Sequence, residues 1–94
     1  MADAPTTTRV ITVTNRLGVH ARPSALLVQA ANQFKADLFV ARDGEEEVNA
    51  KSIMGVMMLA AAKGTELNFR AVGADGPALL DAVEKLFQAN FNED

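Results

Sequence analysis

The sequence predicts a two-layer α+β sandwich, with helices packed on one side of a single sheet. Three observations lead there. The chain has 94 residues, enough for one core and too few for two. Its apolar spacing switches between strand alternation and helical periodicity in the order β-α-β-β-α-β-α. Each helical stretch has one apolar stripe, while the outward positions of the strands are mostly polar, so only one face of the sheet needs covering.

Residues 8–14 are rich in β-branched side chains, and alternation puts Ile11 and Val13 on one face of a first strand. Over residues 21–34 the spacing becomes helical, with Leu27, Ala30, Ala31 and Phe34 in one stripe and Pro23 in a first turn, where its missing N–H is tolerated. Residues 36–42 alternate again, Leu38 and Val40 inward and the aromatic Phe39 on the polar face. Asp43-Gly44 is a hairpin signal leading to a short third strand that contains Val48 and Ala50 and pairs antiparallel with the second. The run Glu45-Glu46-Glu47 suits a solvated hairpin edge, where charge discourages pairing with another chain.

Ser52 is an N-cap for the apolar run 53–60, and Lys63-Gly64 marks the end of that second helix, with Gly64 as its C-cap. Residues 65–72 alternate as a fourth strand, Leu67, Phe69 and Ala71 against Glu66, Asn68 and Arg70. A third helix follows residues 73–77, with Leu79, Leu80, Val83, Leu86 and Phe87 on one side and Asp81, Glu84, Lys85 and Gln88 on the other. Residues 1–7 and 92–94 read as loose ends of a single domain spanning 1–94.

Composition narrows the function. With no cysteine, disulfides, thiolate metal sites and cysteine nucleophiles are excluded. Nine Lys or Arg against twelve Asp or Glu leave a net charge of -3, with no basic surplus for nucleic acid or an anionic membrane. The N-terminal residues lack a secretory signal and no stretch is long and apolar enough to span a bilayer, which predicts a cytoplasmic protein without membrane insertion.

The chain has one histidine, His20, in Gly18-Val19-His20-Ala21-Arg22-Pro23-Ser24, at the junction of the first strand and first helix. Unpaired N–H groups and the positive dipole end of a helix favour a nearby anion by about 0.3–2 kcal/mol. An imidazole nitrogen is a competent nucleophile, and the Arg22 guanidinium suits phosphoryl oxygens, so phosphoryl acceptance fits these residues. There is no Gly-rich phosphate loop, no second histidine for a metal and no adjacent carboxylate pair. The site can therefore hold a phosphoryl group without obviously making one from a nucleotide, and neither metal nor cofactor is expected.

The second helix has more apolar residues than one buried face uses. Val56 and Leu59 suit the core; composition alone places Ile53, Met54 and Met57 there as well, and an exposed, adaptable patch is the alternative. Gly55 costs about 1 kcal/mol relative to Ala inside a helix, which close approach of a partner or of another element would justify.

The segment 15–24, Asn-Arg-Leu-Gly-Val-His-Ala-Arg-Pro-Ser, resembles the active-site motif of the HPr family, the histidine phosphocarriers of the bacterial phosphoenolpyruvate-dependent phosphotransferase system. Residues 49–59, followed by Ala62-Lys63-Gly64-Thr65, resemble the regulatory-serine segment of the same family. The resemblance covers about residues 8–90. It implies an open-faced β-sandwich, a four-stranded antiparallel sheet with three helices on one face. It further implies that His20, assisted by Arg22, takes a phosphoryl group on Nδ1 from Enzyme I and passes it to EIIA-type or EIIB-type acceptors. Ile53, Met54 and Met57 would dock those partners, and Ser52 would be the target of HPr kinase/phosphorylase, against its simpler role as a cap. The expected carrier is a monomer. A regulatory binding module, whose phosphorylation state controls enzymes or transcription factors, is the alternative. The segment 86–94 resembles the nitrogen-related paralogue, while the Ser52 segment resembles the sugar-type branch. Ser24 departs from the small Ala frequent in the family and adds the capacity for a local hydrogen bond.

Overall fold

The structure, a computed structural model, describes residues 4–92. Seven elements follow the predicted order: β1 (Thr6–Thr12), α1 (Ala21–Ala31), β2 (Asp37–Arg42), β3 (Val48–Asn49), α2 (Ile53–Met57), β4 (Glu66–Val72) and α3 (Gly76–Gln88), then a single 3-10 turn at Asn90–Asn92. The strands form one sheet in the order β1-β4-β2-β3, every neighbouring pair antiparallel. Because side chains alternate, the register Ile11↔Leu67, Arg9↔Phe69 and Val40↔Phe69 lines the inner positions into one face. Ile11, Val13, Leu38, Val40, Leu67 and Phe69 on that face are all buried, together with Leu27 and Val28 of α1, Val56 of α2, and Leu79, Leu80, Val83 and Phe87 of α3. No helix among the described residues is long and apolar enough to cross a membrane.

The structure moves several boundaries: α1 ends at Ala31 rather than reaching Phe34, β3 is Val48–Asn49 with Ala50 just beyond it, and three further differences have a clear cause. β1 begins at Thr6, so Thr6 and Thr7, read from sequence as part of a loose end, pair with Val72 and Ala71, and Pro5 accepts a hydrogen bond from the Gly73 N–H. Polar threonines carry no burial signal there; the β4 partner supplies the order. α2 stops at Met57, well before Gly64, which is not its C-cap. Leu59 and Ala60 donate to the carbonyls three residues back, Ala60 turns the chain at φ 49°, and Gly64 instead donates to Val13, extending the β1 ladder. Pairing with the sheet wins over helix propagation. At the other end Phe91, which periodicity does not assign to the core, is fully buried and packs edge-on to Phe87 at 4.8 Å. Asn92 lies in that turn, whereas residues 1–3 and 93–94 of the expected loose ends fall outside the described residues.

On the open face of the sheet, Phe39 is half-buried beneath the Arg70 guanidinium, 4.6 Å from the ring centre. Arg70 in turn makes two hydrogen bonds to Glu47, at 2.8 and 2.9 Å, so the acidic run is partly paired rather than wholly solvated.

Asp75, immediately before α3, accepts from the N–H groups of Lys35 and Ala36, both at 2.8 Å, tying α3 to the entry of β2. The Lys35 bond first, with that of Ala36 behind it, holds the Asp75 carboxyl below the usual carboxylate range. A depressed folded-state value means that the stabilisation is present above the unfolded value of about 4 and fades as pH falls through the folded one. Asp75→Ala is therefore expected to melt at a lower temperature than the parent at neutral pH, with the gap narrowing below about pH 4. Thermal denaturation across that range checks it, and a pH-independent gap would remove the carboxylate from the account.

Candidate functional site

The site is assembled where the chain leaves β1 and enters α1. Asn15, almost fully buried, closes a tight turn: its Nδ2 donates to the Gly18 carbonyl at 2.6 Å, and the Gly18 N–H donates back to the Asn15 carbonyl at 3.1 Å. Gly18 has φ +73°, and a Cβ placed on it would lie 2.4 Å from the Ala61 carbonyl oxygen and 2.9 Å from the Ala62 Cα. Only glycine permits both the conformation and the contact. The next residue exploits that approach, the Val19 N–H donating to the Ala61 carbonyl at 2.8 Å.

His20 is the N-cap of α1, with extended backbone at φ −93° and ψ −160°. Its side chain makes no capping hydrogen bond to the helix. The first intrahelical bond runs from the Ser24 N–H to the His20 carbonyl at 2.9 Å. The N–H groups of Ala21 and Arg22 therefore lie ahead of the hydrogen-bonded ladder, and Pro23 has none to satisfy. No acidic side chain occupies this first turn, so the eleven-residue helix presents an unneutralised positive end. Arg22 is exposed, and among the described residues no carboxylate pairs with it.

A shallow cleft of about 300 Å³ opens beside the half-buried His20, walled by Leu17, Val19, Met57, Ala60 and Ala61. A larger open cleft of about 470 Å³, lined by Thr12, Arg42, Asp43, Gly64, Thr65 and Glu66, offers no imidazole or thiol; chemistry rather than size identifies the site. Among the described residues no three histidine or carboxylate side chains cluster to hold a metal ion.

α2 forms the neighbouring rim. Ser52 is its N-cap, the hydroxyl accepting from the Gly55 N–H at 3.2 Å. Gly55 is there because a Cβ would come within 2.8 Å of the Asn49 carbonyl oxygen. Val56 and Leu59 turn inward, while Ile53, Met54 and Met57 are 44%, 70% and 41% exposed, which settles the choice between core and surface for those three. Leu17 at 67% and Met58 at 76% extend the patch.

A family model described as the PTS HPr component phosphorylation site matches residues 7–89. The chain belongs to the HPr family. It is 51% identical over 86 residues to the phosphocarrier protein HPr of Treponema pallidum, covering 92% of this chain and 97% of that protein. It is also 51% identical over 71 residues to the HPr-like protein Crh of Bacillus subtilis, covering 76% of this chain and 79% of Crh. An HPr crystal structure from Thermoanaerobacter tengcongensis superposes with a TM-score of 0.87 at 38% identity, covering 94% of this chain and 98% of the other. The HPr architecture, an open-faced four-stranded antiparallel sheet with three helices, is the one observed here.

Sequence reasoning placed His20, Arg22, Ser52, Ile53, Met54 and Met57 without the geometry that relates them. His20 and Met57 line one cleft, whereas Arg22 and Ser52 do not line it and Ile53 and Met54 lie on the turn of α2 before Met57. It assigned no role to Asn15, Gly18 or the 60–62 segment, and it left Leu17 and Met58 out of the patch. A glycine between two apolar residues was the available signal for the close approach. The small, uncharged Ala60-Ala61-Ala62 wall gives none. Gly18→Ala is expected to cost about 2 kcal/mol or more, from positive-φ strain plus displacement of Ala61, measured by urea denaturation. A loss below about 0.5 kcal/mol would show that the two loops separate freely.

Proposed function

We propose that this chain is a phosphocarrier of the phosphotransferase system in which His20 carries the phosphoryl group. The observation that supports this reading is the half-buried imidazole at the N-cap of α1, with its side chain outside the capping bonds and beside an open cleft. In the transfer, a lone pair on the His20 ring attacks the phosphorus of a phosphohistidine on Enzyme I. The new N–P bond forms as the donor's N–P bond breaks, the donor imidazole keeps that electron pair, and the proton displaced from His20 reaches it through solvent. The equatorial oxygens gain contacts to the Ala21 and Arg22 N–H groups and the Arg22 guanidinium, which stabilise charge without burying the group. Shallow placement lets the same phosphoryl group leave to an EIIA-type or EIIB-type acceptor, as a cytoplasmic carrier requires.

Incubation with Enzyme I, phosphoenolpyruvate and Mg²⁺ is expected to add one acid-labile phosphoryl group, and His20→Ala to accept none. Intact-mass measurement decides it; equal labelling of the variant would move the site elsewhere. Arg22→Ala is expected to fold normally and transfer more slowly, by about the tenfold or more that one charge-assisted contact of about 1.5–3 kcal/mol represents.

The exposed side chains of α2 supply the docking surface, because apolar groups beside a reaction centre are covered only when donor or acceptor arrives. Ser52 sits at the edge of that patch, and a phosphate on it would bring about -1.5 to -2 charges to a surface that meets apolar groups. Met54→Glu and Ser52→Asp are both expected to hold stability within about 1 kcal/mol while weakening Enzyme I binding severalfold. Unfolding curves with titration calorimetry test this. Unchanged affinity for Met54→Glu would exclude that side chain from the interface, and unchanged affinity for Ser52→Asp would leave Ser52 as a helix cap.

A further inference from the structure

Ser24 is one of two buried polar side chains among the described residues and has no exposed surface. Its Oγ donates to the His20 carbonyl at 2.6 Å, and its own N–H donates to the same oxygen at 2.9 Å. A serine bonding back four residues does little for a helix and often bends it. A hydroxyl withdrawn from water for one hydrogen bond likewise gains little net stability. Alanine would serve the helix better at this position, so the hydroxyl is poorly explained by stability.

Its acceptor explains it. The carbonyl of His20 and the N–H of Ala21 belong to one peptide unit, and that N–H precedes the hydrogen-bonded ladder of α1. Donation to a peptide oxygen draws electron density toward it and leaves the same peptide's N–H a stronger donor. The backbone gives this carbonyl one bond; Ser24, whose side chain has no exposed surface, adds a second, shorter one. We propose that Ser24 is a positioning residue for phosphoryl transfer: its hydroxyl locks the His20 carbonyl and polarises the 20–21 peptide, strengthening the Ala21 N–H toward the phosphoryl oxygens. This rests on His20 being the acceptor. Ser24 does not touch the reacting atoms, and it favours the phosphorylated state over the free one because only the former presents an anion to Ala21.

Three forms test the proposal: the parent, Ser24→Ala, and Ser24→Cys, which is slightly larger than serine and keeps a weak donor. Each is equilibrated with Enzyme I and phosphoenolpyruvate. The phosphoryl equilibrium with Enzyme I and the Ala21 amide proton resonance are then measured, with urea unfolding as the control for stability. Ser24→Ala is expected to hold the phosphoryl group about two- to fourfold less favourably, the size a modest strengthening of one charge-assisted bond supports. Its Ala21 amide proton is expected upfield of the parent's, with a smaller downfield movement on phosphorylation. Ser24→Cys is expected to fall between. A parent that is not labelled on His20 would overturn the underlying reading. A labelled parent matched by Ser24→Ala in equilibrium and amide shift would overturn the Ser24 proposal alone, as would a change confined to the urea curve.

Discussion

The structure around the site turns on the approach of two loops, 15–19 and 59–62, to the distance at which the Val19 N–H reaches the Ala61 carbonyl. Gly18 makes that distance attainable, since any side chain there would meet the Ala61 oxygen. From this contact follow the direction in which α1 starts, the placement of His20 at its N-cap, and the seating of Met57 and Ala60 as the opposite wall of the cleft. It also shortens α2, because residues beyond Met57 are committed to bonds with the 18–19 segment and the end of β1 rather than to further helical turns.

The scaffold beneath is held mainly by apolar packing. Phe69, Phe87 and Phe91 form two successive edge-to-face contacts at 5.9 and 4.8 Å, joining the sheet to the last helix and its terminal turn. A buried phenylalanine contributes about 1.5–3 kcal/mol. By contrast, the ion pairs of Arg9 with Asp81 and Glu84 and of Arg70 with Glu47 are solvent-accessible, where water screens them and leaves little net stabilisation. Packing therefore outweighs the charges. The terminal turn also reaches the chain leaving β1, where the Thr14 hydroxyl donates to the Asn90 side chain at 2.7 Å one residue before Asn15.

Division of labour along the chain follows from these magnitudes. A labile phosphoryl group needs a directional but shallow cradle, which the backbone N–H groups of a helix N-terminus supply in part and which the proposed role of Arg22 completes. The short α2 keeps Val56 and Leu59 inside and leaves its methionines out, the apolar surface proposed above for partner recognition. Methionine suits a surface that must fit more than one partner.

The sequence alone determined the element order, the inward faces of β1, β2 and β4 and the position of the single imidazole at the start of α1, because alternation, helical spacing and residue chemistry are local properties of the chain. The exposure of Met54 was undecidable there, since an apolar run reads the same on either side of a helix until the sheet shows which side it covers. Only tertiary structure ended α2 at Met57, turned Gly64 from a cap into a strand partner and buried Phe91 beside Phe87. It likewise ordered Thr6 and Thr7 against β4. In each case the deciding hydrogen bond or contact joins residues far apart in the chain, and periodicity, which compares only near neighbours, carries no record of it.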